Sequence, residues 1–316
     1  METKVKMKAQ NIICNPGRLV YHYTSMEALD KILSNADKGY ITFHASSMHH
    51  LNDSTEFYYG FKQLRKLLPT IEKQIGDIDD KYRLSITIDK EEMEIGDSWS
   101  DQFVSILHEG NKTPFVISTS SVGDSVPMWE MYGDGGCGVA IGLDIVPCYI
   151  QKSSTENKIL NTLNYDENSI NAIKVYPNLS LKRPNIMVAI QVYKEYLEKV
   201  KQTPENIQTP ENIQNLKLRA LYHISAYTSP LTKHPAFSFE NEWRIVLYPD
   251  ISDVCYKVNS KGEVNQYTEV RLPIEKLKKI VTGPKVNKEN IDVLRLMLRH
   301  KDIIQCRVCP SKVPLR

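Results

Sequence analysis

The chain lacks most of the features that would settle a function at once. Its six cysteines in 316 residues, Cys14, Cys137, Cys148, Cys255, Cys306 and Cys309, follow no pairwise spacing. A disulfide framework is therefore not implied, and a reducing, cytoplasmic setting is the expectation. Cys306 and Cys309 form a lone CxxC, but no second pair completes a tetrahedral zinc site, so buried thiols are favoured and no metal is expected. No run of about 18 apolar residues occurs, and the opening METKVKMKAQNIICNPG holds no apolar stretch of signal-peptide length. Neither membrane insertion nor export is expected. Charge of one sign is missing as well: 40 basic residues against 38 acidic leave +2, without the basic block of a dedicated nucleic-acid binder. The glycines between Gly133 and Gly138 lead into a strand and not a helix, which suits a tight turn better than a phosphate cradle.

What is present is the composition of a folded protein, 41% hydrophobic and 25% charged. Leu19 to Thr24, LVYHYT, alternates apolar and polar groups as a strand does. Ser25 then caps a helix whose Met26, Leu29, Ile32 and Leu33 share one face. Gly39 opens a second strand, YITFHAS, and Asp53 or Ser54 caps a helix through STEFYYGFKQLRKLL that Pro69 is expected to stop. Residues 72–111 read as a charged helical insertion. FVISTSS is a strand ending in hydroxyls, VPMWEMYGD a short helix and VAIGLD a strand. Residues 150–219 form a second, polar insertion with a helix at VAIQVYKEYLEKVK. Inside it the hexapeptide QTPENI occurs twice in succession, at 202–207 and 208–213. That period is far below the roughly 20 residues of a solenoid repeat, and the copies read as an exposed loop. After a helix at LKLRALYHISAYT, His234 to Tyr248 is predicted as a strand, and the chain ends strand, helix, strand through LKKIVTGP, NIDVLRLMLRHK and IIQCRVC. The sum is one α+β domain over residues 1–316, with a mixed or antiparallel β core and helical insertions.

Three polar clusters fall at the ends of apolar strands, where a fold presents groups to a cleft. They are Tyr21, His22, Tyr23 and Thr24; Ser118, Thr119, Ser120 and Ser121; and Glu240, Asn241, Glu242, Trp243 and Arg244. If the last cluster is extended, Glu240, Glu242 and Arg244 share a face, and two carboxylates with one guanidinium are costly to bury unless paired. Each cluster has an ordinary alternative: a satisfied core histidine, a hydroxyl-rich turn, a surface ion pair. Asn52, Asp53 and Glu56 read as a helix cap with its third-position acid. Trp129 and Tyr132, three apart on one helix, read as core packing. His44, His49 and His50 with Asp53 make a poor metal site, because adjacent histidines point apart.

The order of these clusters, His22, then Ser118-Thr119-Ser120, then Glu240-Asn241-Glu242, resembles the motif order of the ADP-ribosyltransferase superfamily. A resemblance covering nearly the whole chain is carried by HYTS with ALDKIL, LNDSTE, ISTSS, MWEMYGDGGCGVAIGLD, FSFENEWR and IVTGP. These look like the bacterial domain-of-unknown-function family 2971, whose members are reported among abortive-infection, phage-defence proteins. Together the resemblances imply an ADP-ribosyltransferase fold, NAD as substrate, a protein or nucleic-acid acceptor, and a phage-encoded trigger. They imply catalysis by Glu242, Glu240 and His22: Glu242 on the nicotinamide ribose, Glu240 on the acceptor, His22 on a ribose hydroxyl. NAD binding falls to His22, Tyr23, Thr24, Ser118, Thr119, Ser120 and Arg244, with Ser118 or Ser120 steadying Glu242 and Tyr58, Tyr59 or Trp129 stacking on the ring. An NAD glycohydrolase and a non-enzymatic nucleotide or phage-component sensor are the alternatives.

Overall fold

Two short strands open the computed structural model, β1 (Ile12–Cys14) and β2 (Val20–Thr24). The structure describes residues 12–14, 19–48, 56–85, 113–150, 171–178, 185–204, 208–258 and 262–314. The Ser25 hydroxyl accepts from the Ala28 amide at 3.1 Å and so starts α1 (Met26–Ile32), which buries Leu29 and Ile32. Gly39, at φ 84°, takes the left-handed turn into β3 (Tyr40–Ser47). The next helix, α2 (Glu56–Ile75), runs through Pro69 and does not stop there. Pro69 lies on the exposed side, while Leu64, Leu68, Ile71 and the carboxylate of Glu72 stay buried across the proline. The continuing apolar face outweighs one missing amide and its cost of about 3 kcal/mol. Residues 72–75, expected to begin an insertion, are the last turn of α2. Asp53 and Ser54, residues 86–112 and residues 151–170 lie outside the described residues.

The remaining elements are β4 (Phe115–Ser120), α3 (Val126–Tyr132), β5 (Val139–Leu143), β6 (Val146–Ile150), β7 (Asn171–Lys174), β8 (Tyr176–Pro177), α4 (Asn185–Gln202) and α5 (Pro210–Thr228). They continue with β9 (Thr232–Lys233), β10 (Glu242–Leu247), β11 (Cys255–Val258), β12 (Val264–Pro273), β13 (Leu277–Thr282), α6 (Lys288–His300) and β14 (Arg307–Pro310). The fold is mixed α+β. One largely antiparallel sheet runs β1-β6-β7-β10-β4-β2-β5-β13-β14, and a branch β4-β3-β12-β11 leaves it; β8 and β9 pair apart. The main core lies on the sheet, where Phe43, Ile117, Ile141 and Trp243 meet Leu29 of α1 and Leu294 of α6. A second core joins α2, α4 and α5 through Leu64, Leu68, Val192, Tyr193, Leu221 and Ile224. Among the described residues no helix is long and apolar enough to cross a membrane.

Three local expectations are corrected. Only the second half of 234–248 is strand: Pro235–Glu240 is a 3₁₀ turn, and Asn241 at φ 46° reverses the chain before β10 begins at Glu242. A proline at the start of the turn and an asparagine that tolerates the left-handed region together override the local β-propensity. The second QTPENI copy starts a helix and is not a loop: the Thr209 hydroxyl accepts from the Asn212 amide at 3.3 Å, and Pro210 takes the first position of α5. The last strand begins at Arg307 instead of Ile303, since a turn follows α6 in which Ile303 is buried and Ile304 exposed.

Candidate active site

β4 pairs along its whole length with β10, from Glu242 opposite Ser120 to Leu247 opposite Phe115. Its other edge is divided. β3 takes the start, Ser47 opposite Phe115 and Ser46 opposite Val116, and β2 takes the end, Tyr21 opposite Ser120. From there β2 continues along β5 and β3 along β12. The sheet forks, and residues 117–119 of β4 lie in the fork. A cleft of about 790 Å³ opens there, lined from β2 by His22, Tyr23 and Thr24, from β4 by Ser118 and Thr119, and from the far side by Glu240 and Glu242. His22 closes part of the bare edge: its Nδ1 lies 2.9 Å from the Ser118 carbonyl oxygen. A carbonyl only accepts, so Nδ1 carries the proton and Nε2 keeps the ring's lone pair. Burial, partly offset by that hydrogen bond, lowers the imidazole's pKa and keeps it neutral.

The floor of the cleft is ionic. Glu242 and Arg244 alternate along β10 on one face, with Ser120 and Ser118 opposite them in register. Arg244 is fully buried. It donates through Nε to Glu242 Oε1 at 2.8 Å, through Nη2 to Glu242 Oε2 at 3.0 Å and to Glu56, and through Nη1 to the Pro230 carbonyl at 3.2 Å. The Lys233 ammonium lies 3.0 Å from Glu56 Oε1, 2.5 Å from Glu240 Oε2 and 3.1 Å from Glu242 Oε2. The Tyr132 hydroxyl donates to Glu240 Oε1 at 2.8 Å. Three carboxylates thus share two cations, with one negative charge in excess. The pairing is obligatory at this depth, because an unpaired buried charge is far costlier than a surface one.

This environment separates the two acids. Burial alone would raise Glu242, but the charges of Arg244 and Lys233, with hydrogen bonds from Arg244 and the Ser118 hydroxyl, hold it down at about 2. Two guanidinium donors, one ammonium and one hydroxyl use all four of its acceptor positions. For Glu240, burial prevails over the opposing Lys233 and, reinforced by the Glu242 charge, pushes the carboxyl above its ordinary range. Its Oε1 and Oε2 receive one bond each, from Tyr132 and Lys233, so each keeps acceptor capacity. Of the two acids, Glu240 therefore has open acceptor positions at the cleft, whereas Glu242, to which the sequence reading gave the ribose, has none.

Other expected residues are redistributed. Ser120 is fully buried behind the cleft and donates to the Glu240 carbonyl at 2.6 Å, steadying backbone instead of the Glu242 carboxylate, a task that falls to Ser118. The Thr119 hydroxyl donates to the Trp243 carbonyl at 2.8 Å, and the Tyr23 hydroxyl to the Val122 carbonyl at 2.9 Å. Arg244 sits beneath Glu242 without lining the cleft. None of the three expected stacking aromatics lines the cleft. Trp129 is fully buried, its edge against Tyr23 and its Nε1 donating to Asp124 at 2.8 Å. Tyr58 is 45% exposed outside the lining, because two residues past Glu56 on a helix means about 200° around its axis. Tyr59 gives its hydroxyl to Asn178. The accessible apolar faces are instead Phe237, on the 3₁₀ turn, and Met131, on α3.

Three residues of the ionic floor were not expected there from the sequence. Glu56, read as an ordinary helix cap partner, spends its carboxylate on Lys233 and Arg244. Tyr132, read as packing, reaches Glu240. Lys233 carried one signal: it is the sole Lys, Arg, Asp or Glu between Arg219 and Glu240, and an isolated charge in so apolar a stretch calls for a buried partner. Among the described residues no trio of His, Cys, Asp or Glu is arranged to hold a metal ion. His44 lines the cleft mouth, while His49, His50 and Asp53 lie outside the described residues.

Residues 128–245 match the family model described as a protein of unknown function (DUF2971), the family whose motifs the sequence resembles. The matched segment runs from α3 to β10 and holds Tyr132, Lys233, Glu240, Glu242 and Arg244. No curated protein and no solved structure matches the chain.

Proposed function

Proceeding from that family match and from the cleft, we propose that the protein binds NAD, breaks the bond between nicotinamide and ribose, and transfers ADP-ribose to a protein or nucleic-acid acceptor. The observation that carries this reading is the convergence of His22, Ser118, Glu240 and Glu242, from three distant stretches of sequence, on one cleft. Its volume falls within the range of about 300 to 1,000 Å³ usual for small-molecule sites. Departure of a nitrogen base from C1′ leaves positive charge on the sugar, as in glycoside hydrolysis. The electron pair of the broken bond leaves with nicotinamide, which becomes neutral. The excess negative charge of the three carboxylates opposes the developing cation, and it acts strongly because the groups are buried and fixed before the reaction. A lone pair of the acceptor forms the new bond to C1′.

Of the two motif acids, Glu240 is the one with the capacity to meet the ligand, first through a ribose hydroxyl and then as the base that takes the acceptor's proton. A carboxyl raised above its usual range suits that second task. Glu242 stays anionic and acts through its field, held by its cations. Neutral His22 offers Nε2 to a ribose hydroxyl, and Phe237 and Met131 offer apolar surface to the nicotinamide ring. In the phage-defence setting that the sequence resemblance implies, such chemistry would disable an infected cell by consuming NAD or modifying an essential macromolecule.

The test is release of nicotinamide from NAD by the purified protein and by Glu240→Gln. The proposal expects release by the parent and a loss of at least about 100-fold in the variant, the usual scale for removing a general base. Equal release by both, or no binding of NAD by the parent in calorimetry, overturns it. Product analysis then identifies the acceptor: free ADP-ribose without a labelled macromolecule means that water takes that place.

A further inference from the structure

Glu240 and Glu242 share the Lys233 ammonium, but Glu242 has a second cation in Arg244. Arg244 holds Glu242 by two bonds and Glu56 by one. Among the described residues Glu240 has one cationic partner, Lys233, at 2.5 Å. Lys233 is itself held in place: β9 pairs with β8 at Pro177, and the neighbouring Thr232 hydroxyl donates to the Thr228 carbonyl at 2.8 Å. Its ammonium lies 5.2 Å from the centre of the Phe237 ring, at the cleft wall.

We infer that Lys233 is a positioning residue, one ammonium divided among three carboxylates so that Glu240, unlike Glu242, keeps the capacity to meet a ligand. The groups acting on Glu240 are Lys233 from β9, Tyr132 from α3 and Glu242 from β10, with Glu56 from α2 on the far side of the same ammonium and Arg244 behind Glu242. If Lys233 is removed, Glu242 and Glu56 retain Arg244, whereas Glu240 keeps only a phenol and two nearby negative charges. The loss therefore falls on Glu240, whose proton affinity rises. If Glu56 is neutralised instead, the same ammonium is shared between two acids, and Glu240 becomes a weaker base. Opposite shifts from the two substitutions would show that the Lys233 and Glu56 charges both act on Glu240; general loosening of the site would move both in one direction.

The inference rests on the reading of Glu240 as the ligand-facing carboxylate, but its test needs no substrate. The Glu240 carboxyl is titrated by infrared spectroscopy of the protonated carbonyl stretch, assigned by the band that Glu240→Gln removes. Lys233→Met should raise the midpoint by about one pH unit or more, the scale of a close opposite charge. Lys233→Arg should restore most of it, and Glu56→Gln should lower it. An unchanged midpoint in folded Lys233→Met overturns the inference. Should that variant fail to fold, a midpoint in Glu56→Gln that stays or rises overturns it equally. Shifts as expected in a protein that releases no nicotinamide would leave this inference standing and remove the NAD reading; nicotinamide release with immobile midpoints would do the reverse.

Discussion

A guanidinium with no exposed surface is tolerated because each of its three nitrogens is answered. Arg244 meets Glu242, Glu56 and the Pro230 carbonyl, and without it Lys233 would be left as the one cation for three buried carboxylates. Arg244→Met should therefore cost roughly 3 to 5 kcal/mol, the usual penalty for removing one partner of a buried ionic group. The urea midpoint measures it, and a loss under about 1 kcal/mol, the scale of an exposed pair, would show that the cluster is hydrated. Arg244→Lys should recover little, since an ammonium lacks the fork that spans both Glu242 oxygens. A pair such as Glu242 and Arg244 can be read from sequence as a surface bridge or a buried one; nothing in FENEWR itself decides. Burial decides it, and burial comes from Glu56 and Lys233, which the motif does not contain.

At the scale of elements, what was legible was periodicity. The alternation in LVYHYT, the apolar run of FVISTS ending in hydroxyls, the serine cap before MEALDKI and the apolar stripe of NIDVLRLMLRH each correspond to an observed strand or helix. The misreadings fall where tertiary contacts outvote local signals. Pro69 within α2 is the clearest, and it supplies a test. Its side chain is exposed and it withholds one helical hydrogen bond, so Pro69→Ala should stabilise the protein by about 1 to 3 kcal/mol. Thermal unfolding would show a higher midpoint; a lower one would mean that the proline sets a bend on which the packing of Leu64, Leu68 and Ile71 depends. The site was legible in the same uneven way. Strand ends displayed His22, Ser118 and Glu242, whereas Lys233 and Glu56 belong to the site because β9 and the first turn of α2 fold over β10, a juxtaposition that linear spacing does not encode.

Across the whole molecule the cleft depends on the end of the chain as well as its start. Asp124, just before α3, accepts from the Trp129 indole at 2.8 Å, the Ser311 hydroxyl at 2.6 Å and the Lys312 amide at 2.7 Å. The residues after β14 are in this way tied to the helix that forms one cleft wall. Those bonds, ahead of the charge of Lys279 but against the effect of burial, keep the Asp124 carboxyl below its usual range. Asp124→Ala leaves a buried indole N–H unsatisfied and should cost about 1 to 3 kcal/mol, with faster amide exchange at Lys312 and Val313. Unchanged exchange there would mean that the chain end is held by its apolar packing through Val313 alone.

The forked sheet gives the site one property that its acids and its imidazole do not share. Where β2 and β3 part, the surface offered to a small molecule is peptide backbone, and the Ser118 carbonyl that orients His22 remains whatever residue occupies position 118. Substitution can alter what hangs over the notch but not the notch itself, so the recess should outlast the loss of any chemistry now performed there.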